Sequence, residues 1–555
     1  MRNSYYRLTR LKEKTFFYRF LETIPGLLTW GTFLSAILLS YWRPMWVAFF
    51  IIIFDLYWVL KAVNIGLHLT FAHQKISIHS NYDWLARCKG LTSVSELIKS
   101  YERDVLKARK KMLREDLKNQ IKVLKGVMAR AGNQDFRKIT HLILLPTVRE
   151  SVEVLTSSIK SYLACDYPAD KMVLVLACEE RAGEYGLRVA AEIKSRFEKS
   201  FSKLLVTFHP DGIAGEAKTK GANITYAAKE AKKILDESGV DYKDVIVSAF
   251  DADSVVTPQY FAQLTYAYLT CESPTRTSYQ PVPIYNNNIW DAPAFNRLVA
   301  INSSFWQMVE SSRPDRLITF SSHSMSMQAL VEVDYWPVDV ISEDSQIFWR
   351  CFLHYHGDYR TVPLFTFVSL DAVVLESYLK SLAGQYKQNR RWAWGVVDWP
   401  YVVDGFRKDP KIPLWKKLLY AERLLEGHYF WATAALMIAA LGWLPLFLGG
   451  ARLANRVLAV NLPQVTGTIM TISTIFLILF VALFFILLPK RPHHRSALDN
   501  VWMLLQWLLV PVSSIFFGGF PAIDAQTRLM FGKYMEFWVT PKVRKENGSV
   551  SEAII

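Results

Sequence analysis

The sequence predicts an α/β domain with a mostly parallel sheet, joined to an α-helical membrane region. Three observations carry that expectation. Apolar residues make up 51% of the 555, yet long apolar runs gather towards both ends while charged residues crowd the middle, as when membrane flanks enclose a water-soluble domain. Between residues 140 and 250, short apolar runs alternate with amphipathic stretches of helical length, the pattern of a βαβα unit. Those runs are apolar throughout, as expected of strands covered on both faces.

Taken in order, the N-terminal stretch carries Arg2, Arg7, Arg10, Lys12, Lys14 and Arg19, which hold that end in the cytosol beside anionic headgroups. The net charge of +15 would suit nucleic acid in a soluble protein; here the basic residues adjoin apolar runs, so the expected partner is a membrane surface and not nucleic acid. With a rise of about 1.5 Å per residue, residues 24–42 suffice for one span. Arg43 and Pro44 make the turn, and 45–66 returns the chain. With no small-residue cleavage site, the pair reads as an anchor rather than a signal peptide. Asp55 lies within the second span, where a carboxylate is either functional or a polar contact to another helix.

A polar helical connector follows, and His68, His73 and His79 beside it fit no metal-ligand spacing. Strands are predicted at 141–146, 172–178, 204–208 and 245–250, with helices over about 150–164, 184–198 and 221–236. Further on, 429–448 and 466–489 form a second apolar hairpin around Arg452 and Arg456. The segment 500–522, interrupted by Pro511, Gly518, Gly519 and Pro521, reads as re-entrant or interfacial. The organisation is therefore 1–74, basic segment and membrane hairpin; 75–139, connector; 140–425, α/β domain with interfacial helices; 426–555, hairpin, broken segment and cytosolic tail. Cys88, Cys165, Cys178, Cys271 and Cys351 lie far apart, as reduced structural thiols do.

Three motifs carry chemistry. F-D-A-D (250–253) ends the fourth predicted strand, where ligands of such sheets bind. Asp251 and Asp253 there can share a hard divalent cation that also bridges a diphosphate; capping of the next helix is the alternative. I-S-E-D-S (341–345) offers Glu343 and Asp344, either helix caps or, for Asp344, a base near the metal pocket. In Q-N-R-R-W (388–392), Gln388, Arg391 and Trp392 share one helix face, suited to gripping phosphate and stacking on a sugar ring, or to lying at the headgroup level.

In this order, the motifs resemble the glycosyltransferase family 2 synthases with membrane helices, such as cellulose and hyaluronan synthases, over about 140–425 and, with the flanking hairpins, most of the chain. The resemblance implies a GT-A (Rossmann-like) α/β domain in the cytosol of an integral plasma- or inner-membrane protein. It further implies Asp344 as catalytic base with Glu343 beside it, Mg2+ or Mn2+ on Asp251 and Asp253, and Gln388, Arg391 and Trp392 near acceptor and nucleotide. L-P-T-V-R-E (145–150) and A-K-T-K-G-A-N (217–223) match its nucleotide-contacting segments, which implies contacts from Thr147, Glu150, Lys218 and Lys220. One departure is A-C-E-E-R, where Glu179 and Glu180 replace the family's aspartate pair and would have to hold the nucleoside. The implied reaction is inverting transfer from a nucleotide sugar, read as a UDP-sugar, to a growing polysaccharide, with room for a partner subunit. A membrane-lipid acceptor is the alternative, and an inactive scaffold of the same fold is the rival from another class. F-S-S-H-S-M (320–325) falls in the acceptor-loop region and has no assigned role; its His323 either faces an acceptor hydroxyl or is structural.

Overall fold

The computed structural model describes residues 14–441, 443–450, 457–493 and 495–536. Arg452 and Arg456 lie outside them. The chain forms two compact units, one from Met1–Leu69, Ile289–Asn302 and Ala372–Thr540, the other from Thr70–Asn288, Ser303–Asp371 and Pro541–Ile555.

The chain opens with α1 (Phe16–Trp42) and α2 (Pro44–His79), then the connector helices α3 (Trp84–Gly90), α4 (Val94–Lys107) and α5 (Lys111–Arg130). Thr15 caps α1 by accepting from the Tyr18 amide. Within the second unit, Asp116 of α5 fixes the connector: its carboxylate accepts from Lys75, from Tyr82 at 2.9 Å and from Gln120 at 2.7 Å. Asp55, in the first unit, is buried.

The predicted βαβα run is present as β1 (Thr140–Pro146), α6 (Val152–Leu163), β2 (Met172–Glu179), α7 (Gly183–Phe197), β3 (Lys203–His209), α8 (Lys220–Glu237) and β4 (Val245–Ala249). All four strands are parallel, with β1 between β2 and β4. Strand order therefore reverses at β1, and the carboxyl ends of β1 and β4 flank the crevice where ligands of open α/β sheets bind.

The other half of the sheet is not parallel throughout. It comprises β5 (Val255–Val256), β6 (Thr277–Ile284), β7 (Ser324–Ser326) and β8 (Arg360–Ser369), and the eight strands run β3-β2-β1-β4-β7-β6-β8-β5. β7 is antiparallel to both β4 and β6, β5 is antiparallel to β8, and β6 pairs β8 in parallel with a register shift at Gln280/Val282. The sheet is mixed, and with α9 (Tyr260–Thr270), α10 (Ala294–Ser311), α11 (Met327–Glu332) and α12 (Glu343–His354) it has the architecture of a GT-A domain.

The first unit continues with α13 (Tyr378–Ala393), α14 (Asp398–Lys408), α15 (Leu414–Leu436), α16 (Leu444–Leu448), α17 (Val457–Leu487) and the helical run α18 (Leu498–Met530). By length and composition α1, α2 and α18 can cross a membrane, and Leu477–Leu487 is a shorter apolar stretch. α18 is not broken at its prolines and glycines. A 3₁₀ turn (Gln506–Leu509) and a π turn (Ser514–Gly519) absorb the irregularity, and each proline enters in the first turn of a new segment, where the missing amide matters least. α1 is tied to α18 by Thr29 donating to Gln526 Oε1 at 2.7 Å and Trp30 Nε1 to Thr527 at 2.9 Å. At Gly26 the backbones come so close that a Cβ would stand 3.0 Å from the Gln526 carbonyl oxygen.

Candidate functional site

Asp251 lies two residues beyond the end of β4, and its amide donates to Ser254 Oγ at 3.0 Å, which fixes the turn at the mouth of the sheet. Thr219 caps α8 and so sets Lys220 at the helix start. Glu343 and Asp344 open α12. Gly221 lets these two helix starts meet: a Cβ there would stand 2.5 Å from the Pro337 carbonyl oxygen and 2.9 Å from Glu343 Cβ.

The close approach brings three charges together. Lys220 Nζ donates to Asp251 Oδ1 at 2.7 Å and to Asp344 Oδ1 and Oδ2 at 3.2 and 3.3 Å. The side chains of Asp251 and Asp344 are 29% and 23% exposed and that of Lys220 is 11% exposed, so the carboxylates face outward and the ammonium lies behind them. Burial alone would push the ammonium down, but Asp251, Asp344 and Glu343 outweigh it and hold Lys220 charged, its affinity for the proton raised.

A loop from the other side completes the cluster. Ser321 Oγ donates to Asp251 Oδ2 at 2.7 Å, and Thr319 Oγ1 donates to the Asp344 carbonyl at 2.6 Å. Gln280 of β6 accepts from the Phe320 amide at 2.8 Å and donates to the Ser321 carbonyl at 3.0 Å. Sequence reasoning missed Ser321 and Gln280. Only the unassigned F-S-S-H-S-M segment pointed towards the first, and nothing pointed to the second.

Asp253 differs from Asp251. It is buried, and its Oδ2 accepts from the Asp371 amide at 2.8 Å. Among the described residues no set of three His, Cys, Asp or Glu side chains is arranged to hold a metal ion. Hard cations such as Mg2+ are commonly held by only one or two carboxylates, with substrate phosphates and water completing the shell. Of the two motif aspartates, Asp251 has the outward carboxylate such a cation needs, whereas Asp253 is buried with its Oδ2 held by the Asp371 amide.

The remaining candidates are placed as follows. Thr147 and Glu150 join each other, the hydroxyl and the Val148 and Arg149 amides all donating to Glu150 Oε2 at 2.8 to 3.1 Å. Glu179 ends β2, buried and paired with Arg181, whose Nη2 donates to Oε1 at 3.0 Å. Burial raises the Glu179 carboxyl's affinity for the proton, against the pull of Arg181. Glu180 accepts from the Asp211 amide at 3.3 Å. Lys218 is exposed and pairs with Asp211 at 2.8 Å, so the two lysines of A-K-T-K-G-A-N serve different partners. Gln388, Arg391 and Trp392 belong to the first unit, on α13, where Gln385 donates to Gln388 at 3.1 Å and to Asn389 at 3.0 Å.

The family model described as glycosyl transferase family group 2 matches residues 246–488. No curated protein matches. Solved structures similar to this chain include a mannosyltransferase from Pyrobaculum calidifontis in complex with GDP-Man and Mn2+, with 15% identity and a TM-score of 0.37, covering 71% of this chain and 88% of that one. They also include S. aureus TarS 1-349, with 14% identity and a TM-score of 0.28, covering 61% and 90%, and the same protein in complex with UDP-GlcNAc, with 13% identity and a TM-score of 0.30, covering 60% and 92%. The matched stretch 246–488 covers less than half of the chain and contains both carboxylate motifs, and the mixed sheet flanked by helices has the layering of a GT-A domain.

Proposed function

We propose that the protein is a membrane-embedded inverting glycosyltransferase that moves a sugar from a UDP-sugar to the hydroxyl end of a growing polysaccharide. The observation that carries this reading is the single ammonium of Lys220 shared by Asp251 and Asp344. Carboxylates so placed can serve the two ends of one displacement. Asp344 takes the proton from the acceptor hydroxyl, and the acceptor oxygen attacks the anomeric carbon on the face opposite the diphosphate. The bond from that carbon to the phosphate oxygen breaks, and the nucleoside diphosphate leaves with the electron pair. Lys220, with three donors, can turn one to a phosphate oxygen and offset the developing charge. A bound Mg2+ or Mn2+ at Asp251 and Asp253 would supply further charge neutralisation on the diphosphate.

In this reading Thr147, Glu150, Glu179, Glu180 and Lys218, around the carboxyl ends of β1 and β2, hold the nucleoside, and Gln388, Arg391 and Trp392 hold acceptor and phosphate. The apolar helices support residence in a membrane, and the basic residues ahead of the first apolar run favour a catalytic domain in the cytosol.

The test is release of nucleoside diphosphate by the detergent-solubilised protein from a panel of labelled nucleotide sugars, with and without Mn2+ or Mg2+. We expect UDP release that needs the metal and falls by about 100-fold or more in Asp344→Asn, the usual scale of a lost general base. Release unaffected by Asp344→Asn overturns the base assignment, and no turnover of any nucleotide sugar leaves the scaffold. Product sizing separates the polymer expected here from a singly glycosylated lipid.

A further inference from the structure

We propose that His323 is a positioning residue for the acceptor-deprotonating carboxylate, acting through the loop that joins Asp251 to Asp344. The proposal rests on Asp344 being the base.

His323 is fully buried, and both ring nitrogens have fixed partners. Trp336 Nε1 can only donate, and it donates to His323 Nε2 at 3.1 Å. Nε2 is therefore the acceptor and Nδ1 carries the proton, which it gives to the Phe320 carbonyl at 2.8 Å. Burial keeps the ring neutral, against Asp344 which favours its charged form and beside Lys220 which opposes it. Nδ1 also lies 3.6 Å from Asp344 Oδ1, so the ring stands beside the carboxylate.

The loop held this way has no slack. Gln280 takes the Phe320 amide and the Ser321 carbonyl, and His323 takes the Phe320 carbonyl. Ser322 adopts a left-handed φ of 66°, unfavourable for a residue with a Cβ and sustained by these surroundings. The amide of Ala249, at the end of β4, donates to the His323 carbonyl at 3.0 Å. From this loop Ser321 reaches Asp251 and Thr319 reaches the Asp344 backbone. A neutral imidazole with one defined tautomer thus sets where both carboxylates stand.

The two ring functions can be separated. The amide nitrogen of Asn overlays Nδ1, so His323→Asn keeps a donor for the Phe320 carbonyl and loses the acceptor for Trp336. His323→Gln places its polar end near Nε2, keeps an acceptor for Trp336 and loses the donor. We expect His323→Gln to lower kcat by about 10- to 100-fold, the scale of lost supporting contacts. The KM for nucleotide sugar should stay within about twofold, because the loss lies in positioning and not in ground-state binding. His323→Asn should restore most of the turnover, and His323→Gln added to Asp344→Asn should cost nothing further. Nucleotide binding and Tm, measured on every variant, show that each is folded. The proposal is overturned if His323→Gln turns over as the parent does, if its loss appears as weaker nucleotide-sugar binding, or if its effect is additive with Asp344→Asn. Full activity of Asp344→Asn alone would instead remove the base assignment on which the proposal rests.

Discussion

A lysine ammonium has three N–H donors and can serve two carboxylates at once, and Lys220 does this between residues 31 and 124 positions away in the chain. Removing it leaves Asp251 and Asp344 facing each other with no cation between them. For Lys220→Met we expect a stability loss below the about 3–5 kcal/mol typical of breaking a fully buried pair, because both carboxylates keep contact with water. Turnover should fall by about 100-fold or more, as when one donor to a developing anion is deleted. Unfolding midpoints and UDP release measure the two effects. At this scale the two motif aspartates were legible, because strand-end and helix-start carboxylates leave a local signature. The residues around them were not: Ser321 meets Asp251, Gln280 meets the Phe320–Ser321 backbone and Trp336 meets His323 only through the fold, and no spacing rule links such positions.

Elements were legible where both faces of a strand are covered. β1 to β4 are short apolar runs between helices, and the predicted and observed boundaries nearly coincide. β5 and β7 are two and three residues long, below any periodicity, and β6 carries Pro281 and Pro283, which argue against a strand. The approach of α8 to α12 was likewise hidden, since Gly221 reads as one glycine at a helix start. Its absent side chain is what allows contact. Gly221→Ala, favourable for an isolated helix, should here destabilise by about 1–3 kcal/mol through overpacking. It should also lower turnover by moving Lys220 away from Asp344. Thermal unfolding and initial rates check this, and a stabilised, fully active variant would show that α8 and α12 have room to spare.

For the whole molecule, α1, α2 and α18 are long and apolar enough to cross a membrane. Membranes washed in alkaline carbonate should therefore retain the protein in the pellet, and its recovery in the supernatant would place it on the surface instead. The first unit is assembled from three stretches separated in sequence, with Thr70–Asn288 and Ser303–Asp371 of the second unit inserted between them. The contacts of α1 with α18 have a consequence for synthesis. α1 leaves the ribosome ahead of α18 and finds the partners for Thr29, Trp30 and the bare backbone at Gly26 only after some five hundred further residues have been translated. Until then Thr29 and Trp30 lack the partners they have in the folded chain, and a chain cut short before α18 would leave that face of α1 uncovered.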